Sequence, residues 1–373
     1  MQTPPAEPGM AVEEVDTPAL LVDLDALDRN LRRMAEAARA AGVALRPHAK
    51  MHKSPDLARL QMAHGAAGVC CQKVGEAEAM VAGGVADVLV SNEVVGARKL
   101  ARLAALARVA RVGVCVDDAE NVAQLSAAAT AAGVELAVLV ELDVNGARCG
   151  VLPGAPARAL AAAVDRAPGL RLAGIQAYHG RAQHLRTWEE RRAAIAAATD
   201  ACRETMAAFA AAGLPCAVVT GAGTGTFEFE AASGVYTELQ CGSYAFMDVD
   251  YGRNLDRSGQ PVAAFEQALF VWSTVMSVPA RDRAVCDAGL KAIAFDSGPP
   301  LVAGRDGLDY AGPSDEHGTL RVAPTNRPPV LGEKIRLVPG HCDPTVNLHD
   351  WLVGVRAGRV ETVWPVTARG AMA

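Results

Sequence analysis

Aromatic side chains are scarce in this chain: Phe, Trp and Tyr together supply 4% of 373 residues. Each of the 5 Tyr and 4 Trp is therefore more informative than usual. An excess of positive charge is also missing, since the formal net charge is −6. Nucleic-acid phosphates are bound by clustered Lys and Arg, so this balance, with no basic patch, excludes a general nucleic-acid surface. Long apolar runs are absent too. Gly, Arg or Asp interrupts each one well before the roughly 18 residues of a membrane-spanning helix, so no membrane association is expected. Residues 1–10 lack a basic segment followed by an apolar one, so no secretory signal is expected either. The 9 cysteines form no Cys-x-x-Cys pair, which predicts reduced thiols in a cytoplasmic protein rather than a disulfide framework.

Alanine dominates what is present, within a hydrophobic fraction of 51%. Helices rich in alanine are thin and pack closely. From residue 17 to about 250, short apolar runs alternate with such stretches. Strands are expected at 19–22, 43–50, 68–74, 87–91, 111–116, 135–143, 172–178 and 217–220. Helices are expected at 27–41, 97–107, 157–163 and 188–212, and another starts at Ser54. Repeated strand–helix units imply parallel strands with helical crossovers. About eight of them in some 230 residues fit an α/β TIM barrel better than an open sheet. Past residue 260 the texture changes to short β runs at 271–278, 283–286, 320–323, 334–338, 352–356 and 359–363. The expected division is a barrel over 17–260 and a C-terminal β-rich domain over 261–373, joined by residues 1–16.

Three segments carry chemistry. In Arg46-Pro-His-Ala-Lys50 a lysine stands where an early strand ends, and barrel active sites sit at that end. A partly desolvated lysine amine joins covalently to the aldehyde of pyridoxal 5′-phosphate. By position alone, Lys50 reads equally as a surface lysine. Lys53, in the following loop, is expected to face solvent or steady a phosphate. Thr220-Gly-Ala-Gly-Thr-Gly225 follows a late strand, where glycine turns offer backbone N–H groups to phosphate. With Gln240-Cys-Gly-Ser-Tyr244 it makes Thr220, Gly223, Thr224, Gly242, Ser243 and Tyr244 the expected phosphate cradle. Rossmann and P-loop spacings are absent, which argues against NAD or ATP. In Pro339-Gly-His-Cys-Asp-Pro-Thr345, an extended backbone puts His341 and Asp343 on one side and Cys342 on the other. Imidazole plus carboxylate suits a divalent ion: Mn²⁺ first, then Mg²⁺, Co²⁺ or Zn²⁺. A polar turn with a His–Asp hydrogen bond is the alternative.

Arg-Pro-His-Ala-Lys-Met-His-Lys53 resembles the cofactor-lysine motif of the D-threonine aldolase and D-serine dehydratase family. Asn145-Gly-Ala-Arg-Cys-Gly150, Gln176-Ala-Tyr-His-Gly-Arg-Ala-Gln-His184 and Asp287-Ala-Gly-Leu-Lys-Ala292 recur in order, so the resemblance spans nearly the whole chain. It implies an alanine-racemase-like barrel plus β-domain, with pyridoxal phosphate on Lys50. It places Arg148 at the phenolic oxygen, Tyr178 at the pyridine nitrogen, and His184 or a metal-bound hydroxide as general base. The dehydratase branch has histidine and cysteine as metal ligands; the aldolase branch has histidine and aspartate. Asp343 sides with the aldolase. The implied reaction splits a D-β-hydroxy-α-amino acid into glycine and an aldehyde. Asn92, Asp315 and His317 are expected to shape the substrate pocket, and a homodimer is implied. Dehydration, racemisation and a non-catalytic pyridoxal-phosphate carrier are the rival readings.

Overall fold

The computed structural model describes residues 2–373. The first strand, β1 (Ala19–Asp23), does not enter the barrel. The barrel is built from β2 (Ala44–Leu45), β3 (Val69–Cys71), β4 (Asp87–Glu93), β5 (Arg111–Val116), β6 (Leu136–Glu141), β7 (Leu170–Gln176), β8 (Val218–Gly221) and β9 (Glu238–Leu239). These eight strands pair in parallel in the order β2-β9-β8-β7-β6-β5-β4-β3, and a bridge from His48 to Cys70 joins the two ends. Strand alternation sorts the side chains. Val88, Val90, Val114, Val138 and Val140 face the helices, while Cys70, Leu89, Cys115 and Leu139 fill the interior.

The helices that cover the barrel include Leu24–Ala41, Ala97–Leu106, Ala119–Ala132, Ala155–Arg166 and Trp188–Ala211. Ala104, Ala129, Ala157, Ala161 and Ala198 are fully buried, so alanine brings helix backbones close to the strands. At the bottom of the barrel Arg46 is held between Asp87, at 2.7 Å, and Glu238, at 2.9 Å.

The second sheet contains β10 (Leu269–Ala280), β11 (Arg283–Cys286), β12 (Leu301–Ala303), β13 (Leu308–Pro313), β14 (Gly318–Val322), β15 (Lys334–Val338), β16 (Trp351–Arg356) and β17 (Arg359–Pro365). It also holds β1, which runs antiparallel to β10 and parallel to β16. The strand expected to open the barrel therefore belongs to the β-rich domain. An apolar run predicts a strand but not its partner, and here the partners come about 250 and 330 residues later. The N-terminal residues Ala6, Val12 and Val15 pack on the same sheet beside Val353 and Val360. One apolar cluster links the domains: Leu27 and Met34 of the first helix meet Tyr244 and Phe246, then Val271, Leu337 and Leu352. That shared core places the turn after β15 over the mouth of the barrel.

Candidate active site

Pro47 has no N–H to donate, and β2 ends two residues before it. The chain then turns through a short 3₁₀ segment, Ala49–Met51, so Lys50 sits on a turn instead of a strand end. The His48 ring accepts a hydrogen bond from the Lys50 amide at 3.3 Å. Lys50 Nζ points across the barrel mouth to Asp343 Oδ2, 3.3 Å away. The Asp343 carboxylate holds the ammonium above its ordinary range, against the effect of burial. Burial drives the His48 imidazole down to about 3, with Lys50 adding to the effect, so His48 is neutral. Lys53 neither faces solvent nor approaches a phosphate loop. It is buried and paired with Glu76 at 3.0 Å.

Gly223, Thr224, Gly242 and Ser243 line the same cavity as Lys50. A Cβ on Gly242 would lie 2.8 Å from the His48 carbonyl, and one on Gly223 would lie 2.3 Å from Gln183. Backbone therefore keeps Gly242 bare, while at Gly223 a side chain would have to displace Gln183. Thr224 Oγ1 accepts from the Tyr244 amide at 2.9 Å and ties the two turns together. Two expected cradle residues are absent from the cavity wall. Thr220 is buried lower in the barrel, where its hydroxyl donates to Glu238. Tyr244 is buried behind the loop, against Phe265 and within 3.4 Å of the Gln61 amide. Apolar packing in the shared core claims its ring.

The opposite wall carries Arg148 and Tyr178. The guanidinium lies 5.4 Å from the centre of the Tyr178 ring and 3.6 Å from Glu141. Burial raises the Tyr178 hydroxyl, so the phenol stays protonated. Burial also raises Glu141 to about 8, with Glu93 adding to the effect. Beneath them Gln240 donates to Gln176 at 2.8 Å, and Gln176 donates in turn to Glu141. Ser91 and Gln72 hydrogen-bond to the neutral His48 at 3.2 and 3.1 Å.

The segment 341–343 is not extended. Cys342–Val346 forms a helical turn with His341 at its N-cap, and Pro344 suits that first turn. Alternation is therefore not what separates the side chains. His341 and Asp343 still converge, with Nε2 and Oδ1 4.0 Å apart, and both line the cavity. Cys342 is fully buried in the core. The other ring nitrogen of His341 meets Asp296 at 2.6 Å, which leaves Nε2 turned toward Asp343. Burial opposes protonation of His341, but Asp343 and Asp296 outweigh it and raise its pKa. An imidazole oriented by one carboxylate beside a second is a donor set suited to a divalent cation. Among the described residues, the group of three potential ligands within 4.8 Å is a different one: Glu93, Asp117 and Cys149.

Across the cavity, His184 Nδ1 meets Asp250 Oδ2 at 2.6 Å. Asp250 and Tyr251 line the site although no motif pointed to them. Ser91, Gln72, Gln176 and Gln240 were also unforeseen; the signal available was a polar residue ending or following an apolar strand. Asn92 does not line the cavity. Its neighbour Ser91 faces inward, so Asn92 turns away and donates to the Gln72 carbonyl at 3.1 Å. Asp315 and His317 do not reach this site either. They lie in the exposed turn between β13 and β14, which packs on Asp287–Lys291 through Lys291 N to Asp315 O at 3.1 Å. Asp315 borders a separate cavity of about 460 Å³ on the second domain. Gly289 explains the Asp287-Ala-Gly sequence in part: a Cβ there would lie 2.4 Å from the Ser314 carbonyl.

Residues 22–250 match the alanine racemase N-terminal domain, and residues 268–355 match a putative serine dehydratase domain. A D-threonine aldolase from Arthrobacter sp. is 52% identical, over 98% of this chain and 96% of its own length. The chain belongs to the D-threonine aldolase family. A 3-hydroxy-D-aspartate aldolase from Paracoccus denitrificans (strain Pd 1222) is also 52% identical, over 98% of this chain and 95% of the relative. The crystal structure of D-threonine aldolase from Filomicrobium marinum superposes with a TM-score of 0.97 at 54% identity, covering 99% and 100% of the two chains. The alanine-racemase-like barrel with its C-terminal sheet is thus the fold of this D-threonine aldolase family member. Among the described residues, no helix is long and apolar enough to cross a membrane.

Proposed function

We propose that this chain is a pyridoxal-phosphate- and divalent-metal-dependent aldolase that cleaves D-β-hydroxy-α-amino acids to glycine and an aldehyde. The observation that carries the reading is the cluster of Lys50, Asp343 and His341 at one barrel mouth. A lysine beside a glycine cradle fits the cofactor, and an imidazole–carboxylate pair beside it fits a divalent ion, Mn²⁺ in the first instance. A carrier of pyridoxal phosphate has no use for the second pair.

When bound, pyridoxal phosphate supplies an electron sink for the charge left on Cα. A divalent ion supplies a Lewis acid for the β-oxygen. The remaining work falls to the side chains. Lys50 is the residue that would hold the cofactor covalently. The loops at Gly223–Thr224 and Gly242–Ser243 would offer backbone N–H groups to the phosphate. Arg148 would supply a fixed cation to the phenolic oxygen. Tyr178, a protonated phenol, would lie against the ring nitrogen and supply a neutral partner there. His341 and Asp343 hold the ion. His184 takes the proton from the substrate β-hydroxyl at Nε2, because Nδ1 is engaged by Asp250. The proposal includes a homodimer, as the family resemblance implies, and a cytoplasmic location, as the unpaired cysteines suggest; light scattering tests the dimer.

The decisive experiment incubates the protein with pyridoxal phosphate, MnCl₂ and D-threonine and analyses the products. Glycine and acetaldehyde in equal amounts support the aldolase. A keto acid with ammonia would replace it with the dehydratase. EDTA should abolish turnover and Mn²⁺ should restore it.

A further inference from the structure

The motif that yields His184 says nothing of what orients its ring, and the ring is half exposed: 55% of the side-chain surface is accessible. An imidazole on a 3₁₀ turn with that much freedom needs a fixed partner to act as a base in one geometry. Asp250 supplies one contact, 2.6 Å from Nδ1, and is itself only 5% exposed. We propose that Asp250 is the positioning residue for His184, and that its helical turn locks the base and the His341–Asp343 pair into one frame. The inference rests on reading His184 as the base.

Three observations support it. First, Asp250 cannot swing. Its Oδ1 accepts from Arg186, whose other nitrogen donates at 2.8 Å both to the Asp250 carbonyl and to Asn254 Oδ1. Asn254 in turn donates to the Gln183 carbonyl at 3.0 Å, next to His184 in sequence. Second, an ionised carboxylate only accepts hydrogen bonds, so Nδ1 donates to Asp250 and Nε2 is the ring nitrogen left free of that contact. Burial works to raise the Asp250 carboxyl, but His184 and Arg186 outweigh it and bring it to about 2. Third, the turn Val249–Gly252 also grips the other wall. The amides of Val249 and Asp250 donate to Pro339 O and Gly340 O at 3.1 and 3.2 Å. Asp248 Oδ2 accepts from the Cys342 amide at 2.9 Å. Barrel and β-domain thus deliver base and ligand pair to one substrate oxygen through three consecutive residues, Asp248 to Asp250, on one side and Pro339–Cys342 on the other.

A purely structural ion pair between Asp250 and Arg186 is the competing account, and a mutant cycle separates the two. Asp250→Asn keeps the size but admits the wrong imidazole tautomer. The expected result is a fall in kcat of about 10²–10⁴-fold, the scale of losing a tautomer-setting aspartate. KM for D-threonine and the borohydride-trapped adduct on Lys50 stay as in the parent. The double variant His184→Ala/Asp250→Asn is expected to be no slower than His184→Ala alone, since Asp250 acts through His184. Full kcat in Asp250→Asn, or additive losses in the double variant, overturn the proposal. If Asp250→Asn does not fold, the same cycle with Asp250→Glu reads the same coupling. Full activity in His184→Ala would refute the base assignment instead, and a parent that yields no glycine would refute the aldolase reading itself.

Discussion

Lys50 Nζ and Asp343 Oδ2 stand 3.3 Å apart, so the proposed cofactor lysine and the proposed metal carboxylate are each other's nearest opposite charge. A cation on Asp343 and an ammonium on Lys50 compete for one carboxylate. A metal loaded on Asp343 would therefore weaken the hold on the lysine and link the two proposed functions electrostatically.

Removing that carboxylate should separate them. Asp343→Asn is expected to retain a borohydride-trappable adduct on Lys50 while losing Mn²⁺-stimulated cleavage by about 10²-fold or more, the scale of an outright loss of transition-state charge stabilisation. The adduct is measured by mass spectrometry and the cleavage by glycine release. Loss of the adduct together with the activity would show that Asp343 serves the lysine and not a metal.

Gly242 tests the cradle. Its φ is −118°, which any residue adopts, so only space matters. Alanine would press a Cβ to 2.8 Å from the backbone carbonyl of His48, two residues before Lys50. Gly242→Ala is expected to weaken pyridoxal phosphate binding by about tenfold or more, a cost of roughly 1.4 kcal/mol. Fluorescence titration of the apoprotein checks it; unchanged affinity would move the phosphate elsewhere.

At the other end of the barrel, Arg46 neutralises two largely buried carboxylates, Asp87 and Glu238. Arg46→Met leaves Glu238 without its cation and Asp87 with only the exposed Arg111, 3.0 Å away, and is expected to cost about 3–5 kcal/mol, the usual result of breaking a buried pair. Denaturant unfolding should show the loss, with kcat at 25 °C unchanged because the floor lies away from Lys50. Adding Glu238→Gln and Asp87→Asn should return most of it.

Glu230 offers a pH test. One of its oxygens accepts from Thr226 at 2.8 Å and the other is buried without a partner. Burial raises this carboxyl to about 8. A raised folded-state pKa means the favourable, neutral form is fully present below the unfolded value of about 4.3, and its contribution is lost as pH climbs through the folded value. Glu230→Gln imitates the neutral form. Its Tm should match the parent at pH 5 and exceed it by several degrees at pH 8. Thermal unfolding at both pH values measures this, and parallel curves would refute the burial argument.

Much of the site was legible because its chemistry is local. Lys50, Arg148, Tyr178 and the glycine turns sit in short stretches whose resemblance to one family suggests a cofactor, and the structure brings them to one cavity. The errors have a common origin in geometry that one-dimensional pattern does not carry. Ser91 lines the site and Asn92 does not, a difference of one step along a strand. Thr220 and Tyr244 adjoin the cradle in sequence but are taken up by the barrel interior and the shared core.

Composition and apolar periodicity, contained within short windows of chain, determined the barrel and the β-rich tail, and the family resemblance of one short motif singled out Lys50 as the proposed cofactor lysine. Tertiary structure alone decided which strand leaves the barrel for the second sheet, because strand pairing depends on residues hundreds of positions away. It also decided that His341 and Asp343 converge from a helical turn. And it brought Asp250 to His184 across 66 residues, a contact created by packing two domains on one core.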